Sequence, residues 1–405
     1  PGRPRRVRGD HMDFEVTYTE EQQRFRREVR AWLEANVGPS ILRTPTSVED
    51  NYQRYLELRG LGRKLGAKGW LYATAPAKYG GGGLDVDHAI ILEEEVDRFD
   101  LSLPPYYDSG GRLGAATIQV WGTEEQKQAF LPPIYTGRVR TWQLLTEPGA
   151  GSDLAGVTMP AIRDGDEYVL NGQKIWTSGA HRSNWGWIAA RTDFEAPKHK
   201  GISMFLMPMD SPGISIRPLI NMAGQHGFNE VFLEDVRIPA SNLVGQENMG
   251  WYQLAVALDF ERSSIAGSAR ARRILDEYIR FARENRAAAE ERPEIRHRLS
   301  EMSIEIDIAK YLSYRVASMQ QTGKIPNYEA TIAKMYSSEL GQRLSNTGMQ
   351  LLGLYGQVHP KSKYAKIKGL TERYYQLSVA ETIAGGTSEV MRSVAAIRGL
   401  GLPRG

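Results

Sequence analysis

Apolar side chains recur at helical spacing in the first third of the chain. After Thr19, a candidate helix cap, Val29 and Leu33 fall on one face of a predicted helix. Thr123, with a glutamine three residues later, has the capping-box pattern that marks the start of another helix. We therefore expect residues 12–140 to form an N-terminal helical domain.

The spacing of apolar residues changes after residue 140. Strand-like runs such as WGWIAART, GISMFLMPM and EVFLEDVRIP follow one another, with Gly, Pro and Asp at the joints. The Asn171-Gly172 pair lies between two such runs and predicts a hairpin turn. Residues 141–245 are therefore expected to form a middle antiparallel β domain that resembles a small barrel or sandwich.

Helical spacing returns at residue 246 and continues to the C-terminus. A long amphipathic stretch over 250–285 precedes a second helix that starts near Pro293, a residue favoured in the first helical turn. Two further helical segments complete the chain. The predicted fold class is α+β: a helical domain, a β domain, and a C-terminal helical bundle over 246–405.

Composition narrows the functional classes. The chain has 405 residues and a net charge of +3, so its charge does not indicate nucleic-acid or membrane binding. It has no cysteine, which excludes disulfides and thiolate catalysis, and the 7 histidines are not spaced as metal ligands. No apolar run is long enough to span a membrane, and the cytoplasm is the expected location. Residues 1–11 look like a remnant of an expression vector, with Met12 as the native start.

The segment QLLTEPGAGSDLAG lies where helices give way to strands. Gly149 and Gly151 allow the main chain to approach a ligand closely, and Ser152 adds a hydroxyl donor, a combination that suits a pyrophosphate or a flavin edge. The same residues are also typical of a plain β-turn. Trp176, in the strand-like run that follows, belongs to a residue type that is usually buried in a core.

A carboxylate interrupts an apolar stripe on the first helix of the bundle. With Leu254 at zero on a helical wheel, Glu261 falls at roughly −20°, among apolar positions. A charge without a role is costly at such a position. The alternative explanation is a solvated side chain, or one paired with the adjacent Arg262.

Seven motifs occur in an order and at distances that resemble those of the acyl-CoA dehydrogenases. They are PAKYGGGGLD, GTEEQKQAFLPPIYTG, LTEPGAGSD, LNGQKIWTSGA, LEDVRIP, MQLLGLYG and GGTSEVMR. The resemblance implies FAD as cofactor, an acyl-CoA as substrate and an electron-transfer flavoprotein as electron acceptor. It also implies the family's helical domain, antiparallel β-barrel-like domain and four-helix bundle, assembled as a homotetramer or homodimer.

The resemblance assigns individual residues to two ligands. Those matched to FAD contacts are Leu145, Thr146, Gly151, Ser152, Trp176, Ser178, Arg286, Gln350, Gly353, Thr387 and Glu389. Those matched to the substrate site are Ser152, Arg262, Gly385 and Gly386. The chain departs from the family at Leu144 and Leu354. It also lacks the Phe-Gly pair that commonly follows the first bundle helix, where Arg286 is the nearest basic residue.

The catalytic base is the main departure from most of the family. Many members carry a catalytic glutamate where this chain has Gly385. Isovaleryl-CoA and some long-chain members instead carry the base on the first bundle helix, beside an arginine. Glu261-Arg262 matches that arrangement, so Glu261 is the predicted base, with Glu381 as the second candidate. The relocation leaves room for a branched, ring-bearing or otherwise bulky acyl chain.

Two alternative functions remain open from the sequence. One is an acyl-CoA oxidase-like flavoenzyme that uses oxygen, although the chain is too short for the long oxidase type with its extra C-terminal domain. The other is a non-catalytic FAD-binding subunit of a heteromeric acyl-CoA dehydrogenase. Gly385 and the missing Phe-Gly pair motivate this second alternative.

Overall fold

The computed structural model covers most of the chain. It describes residues 18–43, 48–261, 266–286, 292–322, 324 and 326–403. Some residues lie in helices but their side chains are outside this description: residues 48, 109, 256, 258–261, 266, 320 and 321. The predicted vector remnant, residues 1–11, also lies outside the described residues.

The N-terminal region is helical. Its helices are α1 (Glu20–Asn36), α2 (Pro39–Leu42), α3 (Val48–Ala67), α4 (Val86–Asp97), α5 (Ser109–Trp121) and α6 (Glu124–Tyr135). The predicted cap at Thr19 and the predicted capping box at Thr123 both form: the Thr19 hydroxyl accepts from the Gln22 N–H at 3.2 Å, and the Thr123 hydroxyl accepts from the Gln126 N–H at 3.2 Å. Buried apolar side chains from α1, α3 and α4 hold these helices together.

The middle region forms two β-sheets. Its strands are β1 (Thr141–Leu144), β2 (Ala161–Asp164), β3 (Glu167–Lys174), β4 (Trp185–Arg191), β5 (Ile202–Pro208), β6 (Ile214–Ile220) and β7 (His226–Pro239). One sheet has the order β1-β4-β5 and the other the order β2-β3-β7-β6. A buried apolar cluster that includes Leu144, Phe205 and Val231 fills the space between the two sheets.

Two details of this region correct the prediction from sequence. First, β1 runs parallel to β4, whereas the other strand pairs in the two sheets are antiparallel. Second, Asn171-Gly172 forms no hairpin turn but lies inside β3, where the pairing with β7 shifts register. Gly172 has φ +144, and Asn171 Nδ2 donates to Asp235 Oδ1 on β7 at 3.0 Å. A partner 64 residues away therefore decides the conformation of this pair.

The C-terminal region is again helical. Its helices are α7 (Gly250–Glu261), α8 (Ala266–Glu284), α9 (Pro293–Gln321), α10 (Tyr328–Leu352), α11 (Leu370–Glu381) and α12 (Ser388–Val394). The predicted helix over 250–285 corresponds to α7 and α8, and residues 262–265 between them lie outside the described residues. Helices α8 to α11 pack around Leu275, Met302 and Leu344. The predicted order of helical domain, β domain and helical bundle is confirmed.

A shared core joins the three regions around β4 and β5. Buried side chains of α5 and α6 pack on this sheet, with Leu113 and Trp187 no more than 1% exposed. Leu254 and Ala257 of α7 enter the same core from the C-terminal side. The first helix of the bundle region is thereby fixed against α5 and β5. Within the described ranges, no helix is both long and apolar enough to cross a membrane.

Candidate active site

The loop after β1 makes a tight turn. We refer to residues 145–152 as the β1 loop. The N–H of Ala150 donates to the Glu147 carbonyl at 3.0 Å, and the Glu147 N–H donates back to the Ala150 carbonyl at 3.1 Å. The plain β-turn expected from the glycines is therefore present. It turns the following residues, Gly151 and Ser152, toward the solvent, where both are exposed.

The segment after β3 lies beside the β1 loop. We refer to residues 175–178 as the β3 turn. The Ile175 N–H donates to the Thr146 carbonyl at 2.9 Å, which joins the two segments directly. Trp176 has φ +58, an unusual value for a residue other than glycine, and its side chain is 58% exposed. Trp176 therefore does not occupy the buried core position that is common for tryptophan.

A buried ion pair fixes the β1 loop to β3. Lys174 Nζ lies 2.8 Å from Glu147 Oε1 and also donates to the Leu145 carbonyl at 3.1 Å. Glu147 accepts further bonds from the N–H groups of Thr158, at 2.8 Å, and Met159, at 3.1 Å. The loop is therefore held by charge-assisted hydrogen bonds in a site with little access to water.

Burial acts on both members of this pair. It lowers the pKa of Lys174 to about 8, although the Glu147 charge acts to raise it. Burial also acts to raise the pKa of Glu147, but the Lys174 ammonium and the neighbouring N–H groups outweigh burial, so this pKa lies below its usual value. Both groups carry their charges at neutral pH.

The surface formed by the β1 loop and the β3 turn fits a flat ligand with polar edges. A Cβ atom built on Gly149 would meet nothing within 4 Å, and one on Gly151 would meet only the Thr146 methyl at 4.0 Å. Among the described residues, Ser152 and Ser178 make no hydrogen bond, so both hydroxyls are available. Open space, free hydroxyls and an exposed indole leave room and polar partners for a flat ligand with polar edges.

Helix α7 approaches the same surface. Its Leu254 and Ala257 share a buried core with Leu145 and Ala150 of the β1 loop. Glu261 is the last residue of α7, one turn beyond Ala257, and its backbone position continues the face that carries these two residues. The Glu261 side chain and the whole of Arg262 lie outside the described residues.

A buried carboxylate, that of Asp108, links the start of α5 to the start of β1. Asp108 caps α5, accepts from the Gly111 N–H at 2.8 Å and is fully buried. The Tyr72 hydroxyl donates to its Oδ2 at 3.3 Å, and the N–H of Thr141, at the start of β1, donates to the same oxygen at 3.4 Å. Burial raises the pKa of Asp108 to about 6.

The glycine pair of the C-terminal motif forms the turn between α11 and α12. Gly385 has φ +67 and Gly386 has φ +103, both in the left-handed region that favours glycine. Lys334 Nζ donates to the Gly386 carbonyl at 2.6 Å. Thr387 then caps α12 by accepting from the Val390 N–H at 3.2 Å.

A polar cavity of about 430 Å³ lies between α10 and this turn. Its lining includes both predicted FAD residues of the motif, Thr387 and Glu389, and also Gln342, Asn346 and Arg392. The remaining predicted FAD residues lie elsewhere: Gln350 is exposed near the end of α10, Gly353 follows that helix, and Arg286 is exposed just beyond α8.

The second candidate base is already paired. Glu381 is the last residue of α11, and Arg270 Nη1 of α8 lies 3.3 Å from its Oε1. Burial raises the pKa of Glu381, against the lowering effect of Arg270. The helix ends at Glu381, so Glu381 and Gly385 do not lie on one continuous helical turn.

Several residues of the site were not found from sequence. Lys174 and Glu147 could have been suspected, because each is a charge inside or beside a strand-like run. The cap position of Asp108 before Ser-Gly-Gly was also visible in principle. Asn229, which contacts the β3 turn, was missed because two of its three side-chain partners, His181 and Thr177, lie 48 and 52 residues away in sequence.

Comparisons with known proteins agree across the chain. The family model described as the acyl-CoA dehydrogenase N-terminal domain matches residues 19–138. The models of the middle and C-terminal domains match residues 143–236 and 248–400.

Similar proteins and structures extend over nearly the whole chain. Acyl-CoA dehydrogenase IpdE1 of Mycobacterium tuberculosis is 34% identical over 386 residues, which cover 94% of this chain and 98% of that protein. The structure titled Tcur3481-Tcur3483 steroid ACAD is 31% identical with a TM-score of 0.84, covering 96% of this chain and 100% of that chain. The ChsE4-ChsE5 complex from Mycobacterium tuberculosis is 31% identical with a TM-score of 0.83 over the same shares. The chain therefore belongs to the acyl-CoA dehydrogenase family of FAD-dependent oxidoreductases.

Proposed function

We propose that the chain oxidises the Cα–Cβ bond of a bulky acyl-CoA thioester, with Glu261 removing the α-proton. The observation that carries this proposal is the core that Leu254 and Ala257 of α7 share with the β1 loop, to which the β3 turn is hydrogen-bonded. The β1 loop and the β3 turn suit a flavin, and Glu261 ends the helix that packs on the β1 loop, one turn beyond Ala257.

Two observations favour Glu261 over Glu381. Glu381 is paired with Arg270, whose charge opposes protonation of that carboxylate. Glu261 continues a helix face that is otherwise apolar, the kind of environment in which a carboxylate acts as a general base.

The roles of this chain's residues follow from their positions. Bound FAD supplies the acceptor for the β-hydrogen and its electron pair. The β1 loop, with Ser152 and the N–H groups near Gly151, would hold the phosphates of the cofactor. Trp176 would cover the ring system, and the unpaired hydroxyl of Ser178 would hydrogen-bond its edge. Gly385 and Gly386 would leave space for the acyl group.

The similar structures support a bulky acyl group. One of them is titled a steroid ACAD, and this chain shares the absence of a carboxylate at Gly385 with the branched-chain type of the family. We therefore propose a ring-bearing acyl chain. For the electron acceptor we propose an electron-transfer flavoprotein, since one relative is named as a subunit of a caffeyl-CoA reductase-Etf complex.

Anaerobic titration of the purified holoprotein tests this function. We expect the oxidised flavin band to bleach with ring-bearing acyl-CoA thioesters and to stay unchanged with short straight-chain ones. Bleaching by short chains alone would contradict the proposed substrate class. Peroxide formed at the rate of bleaching in air would favour the oxidase alternative over transfer to a flavoprotein.

Assembly with a second, different chain is the alternative to a homotetramer or homodimer. Two of the similar structures have titles that name a pair of proteins. A heteromer also agrees with the missing Phe-Gly pair after α8. Native mass and FAD content of the chain purified alone distinguish these cases, because a chain that needs a partner will bind FAD only after the partner is added.

A further inference from the structure

The β3 turn adopts a backbone conformation that residues outside the turn must stabilise. Trp176 has a positive φ, which is disfavoured for a large side chain, and more than half of that side chain is exposed. Its contact with Phe228 is an edge-to-face one, with 6.1 Å between ring centroids. The next residue, Thr177, is only 2% exposed, so the buried contacts that hold the turn in this conformation are those of Thr177.

Asn229 of β7 binds both backbone groups of Thr177. The Thr177 N–H donates to the Asn229 carbonyl at 3.0 Å, and Asn229 Nδ2 donates to the Thr177 carbonyl at 2.9 Å. Asn229 is fully buried. The side-chain bond matters most here, because it fixes the direction of the peptide that links Thr177 to Ser178.

Two histidines hold the Asn229 amide in this orientation. His226 Nε2 lies 2.8 Å and His181 Nδ1 lies 3.2 Å from Asn229 Oδ1. Since Asn229 Nδ2 already donates to Thr177, Oδ1 must face the imidazoles, and both ring nitrogens must donate to it. The two rings stack with 3.9 Å between centroids and 19° between planes.

This arrangement suits two neutral rings. The titratable and charged groups that face His181 are His226 from β7, Arg140, which precedes β1, and its neighbour Arg182, with Tyr55 of α3 beside both arginines. Burial, with smaller contributions from His226, Arg182 and Arg140, lowers the pKa of His181 to about 4. Because the unfolded chain binds this proton at about pH 6.5, the arrangement loses stability as the pH falls from 6.5 toward 4.

We propose that Asn229, His181 and His226 are positioning residues that hold the β3 turn in the conformation that receives the flavin. This inference rests on the proposed role of the turn as an FAD contact. The three residues act through Thr177 and have no contact with the reacting atoms. FAD binding should therefore depend on them, and it should weaken near pH 4, where His181 becomes charged.

The test measures the FAD Kd of apoprotein variants by quenching of FAD fluorescence. Asn229→Ala should raise the Kd at least about tenfold at pH 7.5 and shift the flavin absorption band, since it removes a buried hydrogen bond and leaves two donors unpaired. Asn242→Ala is the control: Asn242 is also buried and donates to the Leu206 carbonyl at 2.9 Å, away from the β3 turn. It should lower the melting temperature but leave the Kd unchanged.

A second variant separates positioning from general stability. His181→Asn combined with His226→Gln keeps both donors to Asn229 but removes both imidazoles. We expect wild-type FAD affinity at pH 7.5 and a much smaller rise in Kd between pH 7.5 and pH 4 than in the wild type, because His181 becomes charged only near pH 4.

The possible contradicting results distinguish between the proposed function and the positioning role. Failure of the wild-type chain to bind FAD at pH 7.5, alone or with a partner, would remove the proposed function itself. An Asn229→Ala protein with wild-type Kd and spectrum would overturn only the positioning role, as would equal losses of affinity in Asn229→Ala and Asn242→Ala. If Asn229→Ala does not fold, the double variant decides, and a pH dependence equal to that of the wild type contradicts the inference.

Discussion

At the scale of single residues, the strongest constraint on the site is the ion pair between Glu147 and Lys174. Lys174 is 0% exposed, so replacing it with methionine leaves a buried carboxylate without its counter-charge. We expect Lys174→Met to lower the free energy of unfolding by about 3 kcal/mol, at the lower end of the range for broken buried pairs. The N–H groups of Thr158 and Met159 keep the loss from being larger.

Urea unfolding measures this loss. Lys198 offers a matched control, because it pairs with Asp153 on the same side of the domain but is exposed. Lys198→Met should change stability by less than about 1 kcal/mol. The double variant Glu147→Gln with Lys174→Met should recover part of the loss. Equal effects of Lys174→Met and Lys198→Met would contradict a structural role for the buried pair.

The pKa of Asp108 predicts how the stability of the protein changes with pH. Its pKa is raised from 3.8 to about 6, so between these values the folded protein binds a proton that the unfolded chain has released. The contribution of Asp108 to stability is therefore present below about pH 4 and is lost as the pH rises through 6. The stability difference between wild type and Asp108→Asn should fall by about 2 kcal/mol from pH 4.5 to pH 7.

Thermal or urea unfolding at the two pH values checks this sign. Asp85 caps α4 by accepting from the His88 N–H at 2.8 Å, and this bond lowers its pKa. The corresponding difference for Asp85→Asn should stay constant or rise with pH. A difference for Asp108→Asn that grows with pH would show that Asp108 is ionised in the folded protein across this range.

At the scale of elements, the contact of α5 with β1 sets the position of the β1 loop. A Cβ atom on Gly110 would lie 2.5 Å from the backbone of Thr141 and Trp142. We expect Gly110→Ala to destabilise the protein by more than about 1 kcal/mol and to weaken FAD binding, because the helix must move away from the strand. Gly114 lies one turn later, and its Cβ would be an ordinary 3.5 Å from Trp187.

Gly114→Ala is therefore the control for this contact. It should be neutral or stabilising by up to about 1 kcal/mol, since alanine is the better helix former. Melting temperature and FAD Kd, measured together on both variants, give the comparison. Equal tolerance of alanine at the two positions would mean that α5 does not fix the strand.

At the scale of elements, the helix caps were predictable from the sequence, whereas the strand pairing was not. Thr19 and Thr123 cap their helices as expected, because each cap needs partners only three residues away. The prediction of a hairpin turn at Asn171-Gly172 is wrong, because Asp235 on another strand binds Asn171. The parallel pairing of β1 with β4 was missed for a similar reason, since it joins Thr141 to Trp185 across the intervening strands β2 and β3. Local chemistry fixed the caps, and distant contacts fixed the rest.

At the scale of the whole molecule, the bundle is linked to the N-terminal helices by charge. Arg273 of α8 lies 2.6 Å from Asp97 and 2.6 Å from Asp100, at the end of α4. Together with the core around Leu254 and Ala257, this link fixes the C-terminal helices against the N-terminal ones. The order of the three regions was predictable from periodicity and motif order. The convergence of β1 loop, β3 turn and α7 depends on packing that no single segment reveals.

The most direct test of the proposed chemistry compares two glutamates. Glu261→Gln and Glu381→Gln are titrated anaerobically, with FAD bound, against an acyl-CoA that bleaches the wild type. We expect Glu261→Gln to bind FAD normally but to bleach at least about 100-fold more slowly, since a general base contributes at least that factor. Glu381→Gln should bleach within a few-fold of the wild-type rate. Wild-type bleaching by Glu261→Gln would contradict the assignment of Glu261 as the base.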